Sequence, residues 1–182
     1  MWLARRAALT QSPGMRALLI LCCCPTLLWG GVTEYGVSCA TGVSDTDIAP
    51  DTVLGEINIL PDGREILWPQ SEVPAALGIG FGLWFDTTSV PRGMTLTTIT
   101  HPPMGPQGVT RESWKTFQSG DTQEPHYVGY TLELPYELVR GPWRVEVTRN
   151  GKTLAAQDFV LVAPEAYPEI IATCRSGEDL VS

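Results

Sequence analysis

Histidine and basic residues are scarce in this chain of 182 residues, and the common catalytic and metal-binding motifs are missing from it. Its two histidines, His101 and His126, form no His-x-His pair, and no Cys-x-x-Cys spacing occurs, which argues against a zinc site. No Gly-x-Ser-x-Gly turn is present to carry a nucleophilic serine. The 12 Lys and Arg face 20 Asp and Glu, and this balance disfavours nucleic-acid binding because phosphate contacts need clustered cations. We therefore expect a non-catalytic protein with no metal and no cofactor.

Acidic residues are absent before Glu34, and the segment that precedes it has the features of a secretory signal. Three arginines, Arg5, Arg6 and Arg16, come before an apolar run over residues 17–31. A basic start followed by a short apolar run is typical of a signal peptide. The run is shorter than the roughly 20 apolar residues that a membrane-spanning helix needs. We predict a signal peptide over residues 1–33 and no membrane span in the chain that remains after cleavage.

Two cleavage points fit the small residues of this segment, one after Gly30 and one after Thr33. Met15 is an alternative start, since a signal that begins there is shorter and more regular. A lipoprotein signal is the rival interpretation. The small residue expected before a lipidated cysteine is missing at Cys22, and an acidic residue separates Cys39 from the apolar run. These departures favour a cleaved leader over a lipid anchor.

Cleavage would leave an acidic chain with two cysteines. Three of the 12 basic residues and none of the 20 acidic ones lie in the leader, so the net charge would become −11. Cys39 and Cys174 would remain, whereas the three cysteines at positions 22–24 would leave with the leader. Two cysteines in an oxidising compartment favour a disulfide over a metal or catalytic site. We expect a periplasmic or secreted protein with a Cys39–Cys174 disulfide.

Short strands separated by proline and glycine dominate the rest of the chain. The 15 Pro and 18 Gly disfavour long helices, and no stretch keeps a helical period apart from a turn near residues 134–139. Trp143, Val145 and Val147 alternate with polar residues, and Asn150-Gly151 predicts a hairpin after them. These patterns predict an all-β fold, an antiparallel immunoglobulin-like sandwich of seven to eight strands over residues 34–164, with a loosely held tail over residues 165–182. Strands are expected at residues 34–39, 55–60, 64–68, 77–86, 94–100, 126–134, 143–148 and 153–162.

Glycines occupy one face of the strand predicted at residues 77–86. Gly78, Gly80 and Gly82 alternate with large apolar residues, and such glycines indicate that something packs closely on the backbone. A neighbouring segment of the same chain is the simpler interpretation, and a ligand groove is the alternative.

Three prolines in residues 101–106 fix φ and remove backbone donors. We predict a rigid loop outside the hydrogen-bonded ladder, in which His101 bonds the backbone. The alternative is a copper site in an exported protein, because the imidazole of His101 and the thioether of Met104 suit Cu(I). These two residues are half of such a site, and no further ligand is specified by its spacing.

Aromatic residues are the remaining candidates for a binding site. Trp84 and Trp114 are candidate ligand-binding residues that would stack on a sugar or a peptide, and packing between the sheets is the alternative. Tyr130 and Trp143 are expected in the core because of their inward parity. We interpret Asp45-Thr46-Asp47 as a solvated acidic loop, since the EF-hand calcium pattern is missing.

Several short motifs occur together between residues 80 and 162: Gly80-Phe81-Gly82, His101-Pro102-Pro103-Met104, Gly129-Tyr130, Tyr136-Glu137-Leu138-Val139-x-Gly141-x-Trp143 and Phe159-x-Leu161-Val162. In this combination the chain resembles, over residues 33–162, a bacterial family described as a domain of unknown function. The resemblance implies an immunoglobulin-like fold and a bacterial source, and it supplies no catalytic residue. We expect an exported non-catalytic module with a binding or structural role in the bacterial envelope, whose partner is an envelope protein or a glycan. The alternative is a periplasmic copper-handling protein that uses His101 and Met104.

Overall fold

The computed structural model describes residues 31–60, 64–88, 90, 92–118 and 125–178, and it contains ten strands, two 3₁₀ turns and one α-helix within them. The predicted leader up to residue 30 and the last four residues of the tail lie outside the described part. The strands are β1 (Val32–Cys39), β2 (Asp45–Ile48), β3 (Glu56–Ile59), β4 (Glu72–Pro74), β5 (Ile79–Phe85), β6 (Gly93–Met104), β7 (Val109–Gln118), β8 (His126–Thr131), β9 (Gly141–Arg149) and β10 (Lys152–Val162). The turns are Pro135–Glu137 and Pro164–Ala166, and the helix is α1 (Pro168–Glu178).

Two sheets pack face to face and form an immunoglobulin-like sandwich. The first sheet has the strand order β1-β5-β8, and the second has the order β4-β10-β9-β6-β7. In the described sheets neighbouring strands are antiparallel, except that β4 runs parallel to β10. The eight described strands of this sandwich confirm the predicted fold class. The antiparallel hairpin β2–β3 forms a separate two-stranded sheet beside the sandwich.

Apolar side chains of facing strands fill the space between the two sheets. The inner face of β5 and the inner face of β9 are almost fully buried, with the predicted parity. The ring of Phe81 meets the ring of Trp143 edge-on at 5.6 Å and lies 5.0 Å from that of Phe159. Aromatic pairs in such geometries add about 0.5–1.5 kcal/mol beyond the burial of their area. This cluster therefore joins β5 of one sheet to β9 and β10 of the other.

Side chains of the same chain pack on the glycine face of β5. A Cβ at Gly80 would collide with the guanidinium of Arg64, and a Cβ at Gly82 would collide with the hydroxyl of Tyr127. Arg64 is 6% exposed, and its Nε donates to the Ser38 hydroxyl at 3.1 Å. The glycines thus make room for a buried arginine and a tyrosine, which is the simpler of the two interpretations of this face.

The prediction of a loop outside the ladder at residues 101–106 is wrong for its first four residues, which belong to β6. Pairing with β7 is regular up to Thr100, is interrupted, and resumes where Met104 pairs with Val109. This irregularity accommodates Pro102 and Pro103, because neither residue can donate a ladder hydrogen bond. The turn itself lies at residues 105–108.

Several other elements differ from the predictions. The predicted acidic loop at residues 45–47 is the fully exposed strand β2, and residues 64–68 contribute only an isolated bridge between Trp68 and Val37 in the described structure. Strand β8 stops at Thr131, three residues short of the predicted end, and a 3₁₀ turn begins at Pro135. Strands β4 and β7 and helix α1 were not predicted.

The C-terminal helix is held against the sandwich, so the prediction of a loosely held tail is wrong for this segment. A disulfide joins Cys39 at the end of β1 to Cys174 in α1, with their Cα atoms 5.0 Å apart, as the cysteine count predicts. Ile170 of the same helix is 1% exposed in the main core. In the described part of the chain, no helix combines the length and the apolar character needed to cross a membrane.

Candidate functional site

A cleft of about 670 Å³ opens between strand β7 of the larger sheet and strand β8 of the smaller one. These strands are the edges of their sheets, so the two sheets are not joined by backbone hydrogen bonds on this side of the described sandwich. The hairpin β2–β3 lines the third side. The volume lies within the range of roughly 300–1,000 Å³ that is usual for small-ligand sites.

The β7 wall is polar where a sandwich strand is normally apolar. Glu112, Trp114, Thr116 and Gln118 line the cleft from alternate positions of this strand. Glu112 is 4% exposed and Gln118 is 6% exposed. In the part of the chain that is described, neither the Oε2 of Glu112 nor the Nε2 of Gln118 has a hydrogen-bond partner. A buried polar atom without a partner costs about 1–3 kcal/mol. The Oε2 of Glu112 faces the Nε2 of His101 at 3.7 Å, on the side of β7 away from the cleft.

Aromatic side chains line the opposite wall. Trp84 packs edge-on against Tyr127 with ring centroids 5.4 Å apart, and both residues line the cleft. His126 lies at the start of β8, and the centroid of its ring is 5.7 Å from that of Phe85. Burial lowers the pKa of the His126 imidazole. The structure therefore brings the predicted ligand-binding residues Trp84 and Trp114 to one cavity from different sheets.

The hairpin β2–β3 is tied to both sheets across the cleft. The backbone N–H of Val53, in the hairpin's connecting segment, donates to Glu112 Oε1 at 2.7 Å. The N–H of Ser113 on β7 donates to the carbonyl of Asp51 at 3.1 Å. Asn58 on β3 donates to the carboxylate of Glu133, which follows β8, at 3.0 Å. The position of the hairpin thus depends on polar contacts with side chains and backbone at the rim of the cleft.

A buried polar cluster lies behind the β7 wall. The ring of His101 packs against the ring of Trp143, with the ring centroids 4.8 Å apart. The Nε2 of His101 lies 3.7 Å from the Oε2 of Glu112. The hydroxyl of Tyr130 donates to Glu137 Oε1 at 3.1 Å. Burial, and next the negative charge of Glu137, raise the pKa of Tyr130 and keep its phenol neutral.

The carboxylate of Glu137 closes this cluster at the end of β8. Its Oε2 accepts hydrogen bonds from the backbone N–H of Glu133 at 2.7 Å and of Leu134 at 2.8 Å. Burial raises the pKa of Glu137, and these hydrogen bonds oppose that rise. The motif residues Tyr130, Glu137 and Trp143 thus have a structural role: they fix the chain between β8 and β9.

The two residues of the copper hypothesis have different surroundings. His101 Nδ1 lies 2.9 Å from the carbonyl of Pro102, which can only accept, so this nitrogen carries the proton. Met104 is 2% exposed and belongs to the hydrophobic core. Within the described ranges, no group of three or more His, Cys, Asp or Glu is arranged to hold a metal ion. Copper handling remains a prediction that these observations do not test.

Sequence reasoning missed Glu112 and Gln118. The alternation of residues 112, 114, 116 and 118 is regular, but three of the four residues are polar, so no apolar period marked the strand. The signal that could have identified this strand was the placement of Glu112, Trp114, Thr116 and Gln118 at every second position.

The chain matches one protein-family model and is similar to a solved structure. The model of the family described as "Domain of unknown function (DUF3859)" matches residues 30–161. Among solved structures, the chain is similar to an immunoglobulin-like protein from Pseudomonas aeruginosa, with 20% sequence identity over 71% of this chain and 99% of that chain and a TM-score of 0.44. No curated protein matches the chain at a significant level.

Proposed function

The chain belongs to the family Domain of unknown function (DUF3859), and we propose that it is an exported, non-catalytic module that binds an extended segment of a partner protein in the bacterial envelope. The site would be the cleft between β7 and β8. The partner segment would add a strand to a free sheet edge there, a mode in which backbone hydrogen bonds provide affinity and side-chain pockets provide specificity.

One observation carries this proposal: two sheet edges face the same cavity. Apart from the bond between Ser113 and Asp51, the outer edge of β7 pairs with no strand in the described ranges, and neither does the outer edge of β8. Natural proteins usually cover or block such edges, because unpaired backbone groups template pairing with another chain. A cleft that keeps two of them beside exposed aromatic surface suits an extended peptide.

Export is supported by the leader and by the disulfide, which forms and persists in oxidising compartments. Cleavage after Gly30 would leave β1 complete, whereas cleavage after Thr33 would remove Val32, which pairs with Phe85. A lipid on Cys39 would require cleavage within β1 and would compete with its bond to Cys174. We therefore favour a signal that ends at Gly30.

A non-catalytic role is supported by how the fold uses its reactive groups. His101 is 4% exposed and stacks on Trp143. Both oxygens of Glu137 accept hydrogen bonds from the chain itself. A general acid or base must reach the proton it transfers, and these groups are engaged in holding the sandwich.

The test uses the mature exported protein and a displayed library of random peptides about nine residues long, roughly the length of an edge strand. Thr116→Trp would fill the cleft from its β7 wall. Thr110→Trp, at an exposed position of the same strand outside the cleft lining, is the matched control.

We expect peptides that bind the wild type and Thr110→Trp, lose about tenfold or more in affinity for Thr116→Trp, and weaken when their backbone amides are methylated. Equal binding to both variants would refute the cleft as the site. If no peptide were selected, but soluble cell-wall oligosaccharides bound and were lost in Thr116→Trp, the partner would be a glycan and the proposal would fail.

A further inference from the structure

Every second residue of β7 has its backbone N–H and C=O directed away from β6. The N–H of Ser113 donates to the carbonyl of Asp51 beyond the edge of the sheet, so it points outward. Along an antiparallel strand the backbone groups of alternate residues point to the same side. The outward groups therefore also include those of Lys115 and Phe117, and in the described ranges no backbone hydrogen bond uses them. A segment that adds to this edge would bond to these two residues.

The side chains of Lys115 and Phe117 lie on the outer face of the larger sheet. Successive side chains of a strand point to opposite faces, and Trp114 and Thr116 line the cleft from the inner face. Lys115 and Phe117 are exposed, and they border the cleft at the edge of the strand. In an added strand, a side chain opposite Lys115 would lie beside it on the outer face, and the next side chain would enter the cleft.

Basic side chains follow this outer edge. Arg111 is exposed on the same face as Lys115, about 13 Å away along the strand. Arg92, which precedes β6, places its guanidinium over the ring of Phe117, 5.6 Å from the ring centroid. We call Arg92, Arg111 and Lys115 the basic strip. The residues of β6 that pair with this face of β7 are uncharged: Met94, Leu96, Thr98 and Thr100.

The basic strip is a local reversal of charge in an acidic chain. Three of the 12 Lys and Arg lie in the predicted leader, and three of the nine that remain form the strip, against 20 Asp and Glu. The ion pairs of the described part, His101–Glu112 and Arg144–Asp158, include none of the three. Opposite charges on directly opposed residues stabilise neighbouring strands, and complementary charge sets the specificity of an interface. The strip therefore favours carboxylates on the outer face of an added strand.

The inner face of the same edge favours uncharged side chains. Trp114, Thr116 and Gln118 line the cleft from β7, and none of them carries a charge. Asp47 and Glu56 line the cleft from the hairpin, so a carboxylate that entered it would meet charges of its own sign. The two faces of the β7 edge thus select different residues in alternation.

Strand β8, which is the other edge at the cleft, has no such strip in the described structure. The N–H of Leu132 donates to β5, so the residues of β8 with outward backbone groups are those of the other parity: Tyr127, Gly129 and Thr131. None of these carries a positive charge. Arg64 is close to them, but it is 6% exposed and donates to the hydroxyl of Thr131 at 3.3 Å. Its charge is therefore used within the chain.

From these observations we infer that the partner segment adds to β7 rather than to β8 and carries Asp or Glu at every second residue. The acidic side chains face the basic strip, and the uncharged side chains between them enter the cleft. This inference rests on the proposed function, because it specifies the edge and the chemistry of the segment that the cleft binds.

The test measures residue preferences in the peptides selected from the same library. With the wild type we expect Asp and Glu to be enriched at alternate positions. Lys115→Glu should lose this enrichment at one of them and select Lys or Arg there instead. Lys152→Glu is the matched control and should keep the wild-type preference, because this exposed lysine is on β10, which β9 and β6 separate from β7.

A charge exchange tests the contact itself. In a selected peptide, replacing the acidic residue opposite Lys115 by Lys should weaken binding to the wild type by about tenfold, which corresponds to about 1.4 kcal/mol. The same Lys peptide should recover that loss on Lys115→Glu, which a merely structural effect of the variant would not produce. The affinity of the acidic peptide for the wild type should also fall with added salt.

The outcomes separate the two claims. If cleft-dependent peptides show no alternating acidic preference, or if the charge exchange restores nothing, the inference is refuted and the peptide-binding function stands. If, without such a preference, vesicles of anionic phospholipid bind the wild type and not Lys115→Glu, the strip binds a lipid surface and the inference also fails. If no cleft-dependent peptide is selected, the proposed function fails and the inference fails with it.

Discussion

Removing the Cys39–Cys174 disulfide should destabilise the domain strongly. The bond links residues 135 positions apart, from the end of β1 to helix α1. In the chain-entropy description, closing a loop of that length in the unfolded state contributes about 5 kcal/mol at 25 °C. Measured losses for native disulfides of secreted domains are commonly about 2–5 kcal/mol. We expect the double variant Cys39→Ala/Cys174→Ala to lose stability within that range.

The assay is guanidinium unfolding of the mature protein, followed by tryptophan fluorescence. A domain of this size has an m-value of a few kcal/mol per molar, so the midpoint should fall by about 1 M. Wild-type protein unfolded in the presence of a thiol reductant is the control and should give the midpoint of the double variant. Amide protons of α1 should exchange faster in the variant, because the helix would then lack its covalent link to β1.

An unchanged midpoint would refute this reasoning. It would mean that the unfolded chain is not restrained by the bond, or that α1 and β1 associate as strongly without it. Two titratable thiols in denatured protein isolated from its native compartment would contradict the oxidised state itself, and with it an argument for export.

Three further predictions follow from the sequence and structure. Gly82→Ala should destabilise the sandwich by about 1–3 kcal/mol in urea unfolding, because its Cβ would overlap the carbonyl oxygen of Val128, while Gly42→Ala, with open space around it, should change little. Burial lowers the pKa of His126, so the unfolded state binds the extra proton and stability should fall as the pH drops below about 6.5. His126→Gln should lack that part of the pH dependence in melting curves taken from about pH 5 to about pH 7.5. Intact-mass analysis of the exported protein should show a chain that begins after Gly30, and an uncleaved chain in the cytoplasm would contradict export.

Strands with apolar residues on one face were predictable from the sequence. Ile79, Phe81, Leu83 and Phe85 alternate without interruption, and they are buried on β5 as their parity requires. The hairpin of β9 and β10 followed from Asn150-Gly151, where both residues have positive φ in the turn, as such hairpins require. In these segments the local residue pattern and the packing of the whole sandwich favour the same strand, with the same face buried.

Other elements depend on contacts that no local pattern records. Strand β4 has three residues and is stabilised by its parallel pairing with β10. Helix α1 has little apolar periodicity and is held by Ile170 and by the bond at Cys174. The extension of β6 to Met104 depends on the pairing of that residue with Val109 across the turn.

By itself the sequence determined the fold class, the core of β5 and β9, the pairing of Cys39 with Cys174 and the family. Each of these depends on residue identity or short-range periodicity, which can be read from the chain directly. The candidate site was decided by tertiary structure. Trp84, Glu112, Trp114 and Gln118 come from two sheets, and the cleft between them exists because β7 and β8 end their sheets without pairing to each other. Which strands become edges is a property of the sheet order, and that order is set by contacts between residues far apart in the chain.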